Sequence, residues 1–244
     1  MKHLLLALPL GLLAVPVLGQ QIEYSVRGGA TFAQYHGNTA VGSTNVQDAN
    51  GVPGAESSRA VNPYGQHLGV GGSLGLRVTR QEKFKLLTAF DLGYELLQTC
   101  ADINNINYNS TVVAYSRRGT GVVRLYTQAV TAFAGVGYRL GGGEHKLALD
   151  AMVGPELAYL TTARESAKGN ATDYNTSYSS DLVRTPDNRL GFRLRGELTL
   201  WVKKLGVVGS YSYGFTNHMP SSSATPNPDA ALAVLRAGLA YRFK

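Results

Sequence analysis

Apolar and polar residues alternate with a period of two over segments of ten or more residues, and the connections between segments are alternately very short and long. From Gln66 to Arg80 the even positions hold Leu68, Val70, Gly72, Leu74, Leu76 and Val78, while the odd positions are small or polar. Residues 84–98 repeat the alternation, with Phe84, Leu86, Phe90, Leu92, Tyr94 and Leu96 opposed to Lys85, Asp91, Gly93 and Glu95. Residues 189–202 do so again, with Leu190, Phe192, Leu194, Leu198, Leu200 and Val202 opposed to Arg189, Arg193, Arg195, Glu197 and Thr199. A period of two sends successive side chains to opposite faces of a strand. The alternation predicts eight strands, near 22–35, 66–80, 84–98, 122–140, 146–160, 189–203, 205–216 and 231–243.

Three connections are short, at 80–83, 141–145 and 203–204, and four are long and polar, at 36–65, 99–121, 161–188 and 217–230. An even number of strands with this alternation of connections predicts an all-β fold: an eight-stranded antiparallel up-and-down transmembrane β-barrel with short periplasmic turns and long extracellular loops. A water-soluble sandwich has strands of about five or six residues and a solvated face rich in charge. These segments are about twice as long. Their apolar faces carry aromatics toward both ends, with Tyr24, Phe84, Tyr138, Tyr241 and Phe243 near the short turns and Phe32, Tyr94, Tyr159, Phe192, Tyr213 and Phe215 near the loops. Two aromatic bands separated by aliphatic residues and glycine match the two interfaces of a membrane.

Eight strands enclose a lumen just wide enough to be filled by side chains. The inward parity assigns Arg27, Arg77, Asp91, Glu95, Arg139, Asp150, Glu156, Arg193, Arg195, Glu197 and Arg236 to that interior, with Glu23, Lys85, Lys146, Arg189 and Arg242 on the same parity. Charge at this density is costly if unpaired, so arginine–carboxylate networks with trapped water are expected there, in a structural role. Two positions depart from the alternation. Pro155 lies mid-strand on the outward face and cannot donate to a ladder, which predicts a bulge or a local break. Arg124 and Gln128 fall on outward parity above Val130, which makes Arg124 a candidate contact for a lipid headgroup phosphate; the alternative is that the fourth strand simply begins above the membrane.

The amino terminus sets the compartment. Lys2 precedes an apolar run from Leu4 to Leu18 broken only by Gly and Pro, and Val17-Leu18-Gly19 fits a signal-peptidase site, so residues 1–19 read as a cleaved signal peptide and 20–244 as the outer-membrane barrel. No later stretch approaches the ~20 apolar residues of a transmembrane helix. The chain has 244 residues, 44% of them hydrophobic, enough for an ordered domain. Its net charge of +7 admits nucleic acid or anionic lipid as a partner, and export argues against nucleic acid. A single cysteine, Cys100, excludes a disulfide framework and multi-cysteine metal sites. No cofactor and no metal are expected.

Several short phrases resemble the PorT-like outer-membrane β-barrel family of Gram-negative envelopes. They are Val26-Arg27-Gly28-Gly29-Ala30-Thr31-Phe32, Val153-Gly154-Pro155-Glu156-Leu157-Ala158-Tyr159-Leu160 and Tyr211-Ser212-Tyr213-Gly214-Phe215-Thr216-Asn217, with Gly238-Leu239-Ala240-Tyr241-Arg242-Phe243 looking like the aromatic-ended strand read by the barrel-assembly machinery. Lys244 after the aromatic departs from that ending. The resemblance implies a cell-envelope barrel of the bacterial outer membrane. One branch of the family takes part in protein secretion, and no catalytic motif carries over.

Barrels that act on lipids use His with Ser and an acid near the outer rim. Here His36 and His218 fall at loop-side strand ends, with Ser221, Ser222, Ser223 and Asp229 nearby in sequence. Hydroxyls abound in such loops, and no enzyme is expected. Gly69-Val70-Gly71-Gly72-Ser73-Leu74-Gly75 superficially looks like a phosphate-cradling loop, but it lies inside an alternating strand, so small inward residues relieving crowding are the reading adopted. The expected role is an integral barrel with a polar, plugged lumen that presents its loops for envelope structure or interaction. The alternatives are an accessory subunit of a secretion or other outer-membrane complex, a small-solute channel, and a lipid-modifying barrel enzyme. Expected partners are outer-membrane lipid, lipopolysaccharide and a larger outer-membrane protein complex.

Overall fold

The structure, a computed structural model, describes residues 21–48, 58–109, 114–141, 147–172, 176–184, 188–219 and 229–243. The signal-peptide segment 1–19, Lys146 and Ser221–Ser223 lie outside the described residues.

Eleven strands form one sheet. Eight of them close on themselves: β1 (Gln21–His36), β4 (His67–Gln81), β5 (Leu86–Asn109), β6 (Ala114–Gly141), β7 (Leu147–Ala171), β9 (Leu190–Val202), β10 (Leu205–Gly214) and β11 (Ala231–Arg242). Each pairs antiparallel with the next in that order, and β11 returns to β1 through pairs from Ser25↔Arg242 to His36↔Ala231. The ring leaves no unpaired edge along this length. Three further strands, β2 (Ser43–Asp48), β3 (Arg59–Ala60) and β8 (Thr176–Arg184), stand outside it, and β2 runs parallel to β5, so the sheet as a whole is mixed.

Within the ring the polarity of the wall is reversed relative to a soluble protein. On β7 the outward residues are Leu147, Leu149, Ala151, Val153, Pro155, Leu157 and Tyr159, and the buried inward ones include Asp150 and Glu156. On β9 Leu190, Phe192, Leu194, Leu198, Leu200 and Val202 are exposed, while Arg193, Arg195, Glu197 and Thr199 are buried. From Leu147 to Tyr159 the apolar face runs about 40 Å along the strand at ~3.3 Å per residue. A tilt near 40° reduces this to about 30 Å, the thickness of a bilayer's hydrocarbon core. Tyr24, Phe84, Tyr138, Tyr241 and Phe243 are exposed at the short-turn end, and Tyr94, Tyr159, Phe192, Tyr213 and Phe215 at the other.

Three strands continue past the rim. Beyond the last β4 pair, His67↔Cys100, β5 takes β2 as its neighbour, from Ser43↔Asp102 to Asp48↔Tyr108. Beyond Tyr159↔Leu190, β7 exchanges β9 for β8, from Ala163↔Arg184 to Ala171↔Thr176. The register shifts at the same height, where Ala129 faces Leu160 but Gln128 faces Thr162, leaving Thr161 as the extra residue of a bulge. One inserted residue reverses which parity points inward. Above the bulge the buried positions are therefore Ala163, Glu165, Ala167 and Ala171, and the outward ones are Arg164, Ser166, Lys168 and Asn170. Val46, Ala60, Ile103, Ile106, Val123, Ala167, Ala171 and Tyr178 pack together as an apolar core within this extension. The wall thus changes from oily outside to oily inside as it leaves the ring.

These features correct the expected organisation in four places. Residues 99–109, 114–121, 161–171 and 176–184, together with 43–48 and 59–60, are strands rather than irregular loop. Their alternation is short and mixed, and they bury apolar residues inward, so a search for an oily outward face passes over them. Lys85, expected inside, is exposed in the short turn Lys83–Lys85, where it has φ 64° and Phe84 has φ 66°. Arg189, also expected inside, is exposed just before β9. In both cases strand parity was extended past the end of the strand. At Pro155 the β6–β7 ladder is interrupted between Phe133↔Glu156 and Val136↔Val153 with no change of register, a break without a bulge, and the bulge lies at Thr161 instead.

Gly71 shows why the glycine run suits a strand. A Cβ there would lie 1.9 Å from the Leu96 carbonyl oxygen, so the crowded register beside the β4–β5 irregularity admits no side chain.

Candidate functional site

The ring's interior is filled by ionic layers stacked along its axis. Nearest the short turns, Arg139 on β6 clamps Asp150 on β7, Nε donating to Oδ1 at 2.6 Å and Nη2 to Oδ2 at 2.8 Å. The same guanidinium crosses to Glu23 on β1, with Nη1 to Oε1 at 2.7 Å and Nη2 to Oε2 at 2.8 Å. Trp201 Nε1 donates to Asp150 at 2.8 Å, Arg242 Nη1 donates to Glu23 at 2.6 Å, and the Arg242 guanidinium lies 4.4 Å from the Trp201 ring centroid.

The middle layer centres on Glu197. It accepts from Arg27 Nη1 at 2.8 Å, from Arg77 Nη1 at 2.5 Å and from Arg195 Nη2. Arg77 also forks onto Asp91, with Nη2 to Oδ2 at 2.6 Å. Phe133 supplies the flat apolar surface here, 4.8 Å from Arg195 and 5.5 Å from Arg77. Guanidinium groups shed hydration more readily than ammonium groups and stack on aromatic faces, which suits arginine to this enclosed position.

In the third layer Arg193 donates to Glu95 at 3.2 Å and Glu156 at 3.1 Å, and Arg236 to Glu95 at 2.5 Å, Glu156 at 3.0 Å and Ser212 at 2.6 Å. All eleven charged residues assigned to the lumen from the sequence, Arg27, Arg77, Asp91, Glu95, Arg139, Asp150, Glu156, Arg193, Arg195, Glu197 and Arg236, are buried and meet in these three layers. Above them Ala33, Tyr35, Leu97, Leu125, Ala163, Leu232 and Val234 pack together as a buried apolar cluster. A cavity of about 210 Å³ adjoins this cluster, between Tyr64, Arg59, Arg184 and His218.

The two rim histidines face opposite sides of the wall. His36 stacks on the outward Tyr213 at 4.3 Å between ring centroids. His218 is buried beside Tyr35, with its Nδ1 3.0 Å from the Asn188 carbonyl oxygen and its own carbonyl accepting from the Tyr64 hydroxyl at 3.1 Å. Burial pushes the His218 imidazole below its ordinary pKa; the Asn188 carbonyl opposes that and the Arg193 charge adds to it. Asp229 is exposed, and its amide donates to Asn38 and Thr39. The structure therefore brings neither histidine to the other. Among the described residues no group of three or more His, Cys, Asp and Glu side chains could hold a metal ion.

The extension has a polar tie that strand parity did not reveal. Glu165 is fully buried and accepts from the Ala60 amide at 2.6 Å and from Arg184 Nε at 2.5 Å, while Arg184 Nη2 donates to the Ala60 carbonyl at 2.7 Å. It joins β3 and β8 to β7. An isolated Glu in a stretch read as loop carries no sign of such a partner; only the strand register exposes it. Arg124 lies on the outward face of β6 above the ring, opposite Cys100 on one side and Ser166 on the other.

No family model matches the chain, and no curated protein matches it. Among solved structures it is similar to Ail, the attachment invasion locus protein of Yersinia pestis. The structure in complex with the heparin analogue sucrose octasulfate is 12% identical with a TM-score of 0.35, covering 91% of this chain and 99% of that one. A second Ail structure is 13% identical with a TM-score of 0.36, covering 91% and 98%.

Proposed function

We propose that the chain is an integral β-barrel of the bacterial outer membrane whose lumen is closed by salt bridges and an apolar plug, and whose function is to hold the loop-side extension rigidly outside the membrane for envelope structure or interaction. The observation that carries this reading is the change of polarity along the wall. A ring about 30 Å tall that faces outward with Leu, Val, Phe and Tyr requires an apolar solvent. In such a solvent every backbone N–H and C=O must be paired, and eight antiparallel strands closed into a ring meet that need. The polar outward face of the extension then lies in water, with Val46, Ile103 and Ile106 inside it. The short turns face the periplasm and the extension faces outward, which places the long connections on the extracellular side.

The PorT-like resemblance and the signal peptide at 1–19 belong to the same reading. The rim geometry gives no support to a lipid-modifying enzyme, since His36 and His218 lie on opposite faces of the wall. The filled lumen weighs against a solute channel.

Expression of the full chain in a Gram-negative host, followed by membrane fractionation and electrophoresis with and without boiling, tests the reading. The expected result is an outer-membrane protein that resists extraction by alkali and migrates differently when unboiled. A processed chain that is folded and soluble without detergent would overturn it. In planar bilayers the barrel is expected to pass no steady single-channel current, and open-channel steps would remove the plugged lumen from the proposal.

A further inference from the structure

One sector of the outward face sets the basic Arg124, Arg164 and Lys168 against the acidic Asp102 and Asp181, beside an amphipathic groove, at the height where the wall changes polarity. Leaving the apolar belt, the outward positions of β6 run Val130, Gln128, Tyr126 and Arg124, and those of β7 run Tyr159, Thr162, Arg164, Ser166 and Lys168. Register sets Gln128 against Thr162, Tyr126 against Arg164, Arg124 against Ser166 and Val122 against Lys168. Arg124 is therefore the diagonal neighbour of both Arg164 and Lys168, at about 7–8 Å between backbones.

Two carboxylates share the sector. Arg164 forks onto Asp181 of β8, with Nε to Oδ1 at 2.6 Å, and that contact, with the Lys168 charge beside it, holds the Asp181 carboxyl below its usual range. On the other side the exposed Asp102, opposite Val122, stands diagonal to Arg124 in the same way, with His67 at 3.4 Å. No acidic side chain among the described residues pairs with Arg124. Beneath these charges lies a groove of about 570 Å³, lined by Leu96, Tyr126, Gln128, Thr162 and Val183, with the Arg164–Asp181 pair at its head. It is oily where it meets the belt and polar above. On the far wall β1, β10 and β11 end at the rim, so this side of the ring differs from that one.

Height selects the ligand. Two residues along a tilted strand rise about 5 Å, which puts Arg164 about 5 Å above the Gln128–Thr162 row, the Arg124 row about 10 Å above it and the Val122–Lys168 row about 15 Å above it. The headgroup zone of a bilayer is about 5–8 Å deep on each side. A glycerophospholipid phosphate reaches Arg164 and stops short of Arg124 and Lys168. A phosphorylated sugar headgroup is taller and reaches the Arg124 row, toward which the long Lys168 stem extends from above. Phosphate is also the group that arginine forks and lysine ammonium bind as charge-assisted acceptors.

We propose that this sector is a binding site for a phosphorylated outer-leaflet glycolipid, with one acyl chain in the groove over Leu96 and the sugar phosphates bridging Arg124, Arg164 and Lys168. The inference rests on the membrane-barrel reading above. It makes the barrel one-sided, since a glycolipid held on the β6–β7–β8 face would be an integral part of the extension's footing.

Native mass spectrometry of the full-length folded protein in detergent micelles tests it, with four probes titrated separately: bisphosphorylated lipid A, the same lipid A with both phosphates removed, phosphatidylglycerol and inorganic phosphate. The expected order places bisphosphorylated lipid A about tenfold ahead of each of the other three. The double substitution Arg124→Gln with Lys168→Gln, which leaves the Arg164–Asp181 pair intact, is expected to erase that advantage. Lys204→Gln, in the short turn at the opposite end of the ring, is expected to leave it unchanged. Equal uptake of the dephosphorylated lipid or of phosphatidylglycerol would overturn the proposal, as would equal binding of inorganic phosphate, which would mean a soluble-anion site. Full retention of lipid A by the double variant would overturn it too. Should that variant fail to fold, the four probes on the unaltered protein decide the matter. Absence of the unboiled gel shift in the unaltered protein would count against the barrel itself and is read out separately.

Discussion

Arg77 on β4 and Glu197 on β9 meet across the lumen, with Nη1 2.5 Å from Oε1, although 120 residues separate them in sequence. Each belongs to a larger set, since Glu197 also receives Arg27 and Arg195 and Arg77 also holds Asp91. The pair therefore fixes the distance between two opposite walls of the ring.

Removing the shared acceptor is expected to be costly. In Glu197→Ala the buried guanidinium groups of Arg27, Arg77 and Arg195 lose their common carboxylate, and breaking one partner of a buried ionic set costs about 3–5 kcal/mol. Glu197→Gln keeps the shape and part of the hydrogen bonding, so a smaller loss is expected. Urea titration of the protein in lipid vesicles, followed by Trp201 fluorescence, checks both. Wild-type stability in the alanine variant would show that this layer is not what holds the walls.

The outward face can be probed at two heights. Leu198 lies mid-belt, beside Ala151 and Gly209, while Asn170 is outward on the extension. Leu198→Arg is expected to destabilise the inserted protein by about 2–4 kcal/mol, the cost of a cation at the midplane of a barrel's lipid face. Asn170→Arg, in water, is expected to change stability by less than about 0.5 kcal/mol. Equal effects at the two positions, measured by the same vesicle titration, would contradict a polarity change between them.

The ring was legible in the sequence because its rule is simple. Alternate residues touch two different media, so Leu194, Leu198 and Leu200 announce one face and Arg193, Arg195 and Glu197 the other. The pairing among those charges was not legible, because Arg77 reaches Asp91 on its neighbour and Glu197 across the lumen, and only closure of the ring sets that geometry. The extension was missed for a different reason. Thr161 reverses the parity, β8 is short, and residues such as Asn104, Asn105 and Asn107 read as turn formers, yet they alternate with Ile103 and Ile106 around a small apolar core. The parity of Arg124 is visible in the sequence, but its neighbours Arg164 and Lys168 lie beyond the bulge, in a segment without a continuous oily face.

Glu165 offers a test confined to the extension. Its carboxylate is the acceptor for the Ala60 amide and the Arg184 guanidinium, and β3 is only two residues long. In Glu165→Ala the amide and guanidinium lose a buried partner, a penalty of about 1–3 kcal/mol. The Ala60 amide is expected to lose about tenfold or more of its hydrogen-exchange protection, while amides in the ring, such as those of β9, keep theirs. Uniform loss of protection through the ring would show that the two parts open as one unit.

Acid is expected to loosen the base of the last loop through His218. Its folded pKa lies below the ordinary value of 6.5, because burial and the Arg193 charge disfavour the imidazolium more than the Asn188 carbonyl favours it. The unfolded or opened segment therefore binds the proton more tightly than the closed one, and stability rises with pH through this range. The contribution is fully present above about pH 6.5 and is lost as the pH falls through the folded value. The His218 amide donates to the Ala230 carbonyl at 3.0 Å, which joins the two ends of the loop and gives the readout. Its exchange protection, corrected for the intrinsic pH dependence of exchange, is expected to fall between pH 7 and 5. In His218→Phe the same amide is expected to show a flat profile, because the ring that must take up a proton is gone. Protection that stays constant in the unaltered chain would mean that the imidazole ionises without disturbing its packing against Tyr35.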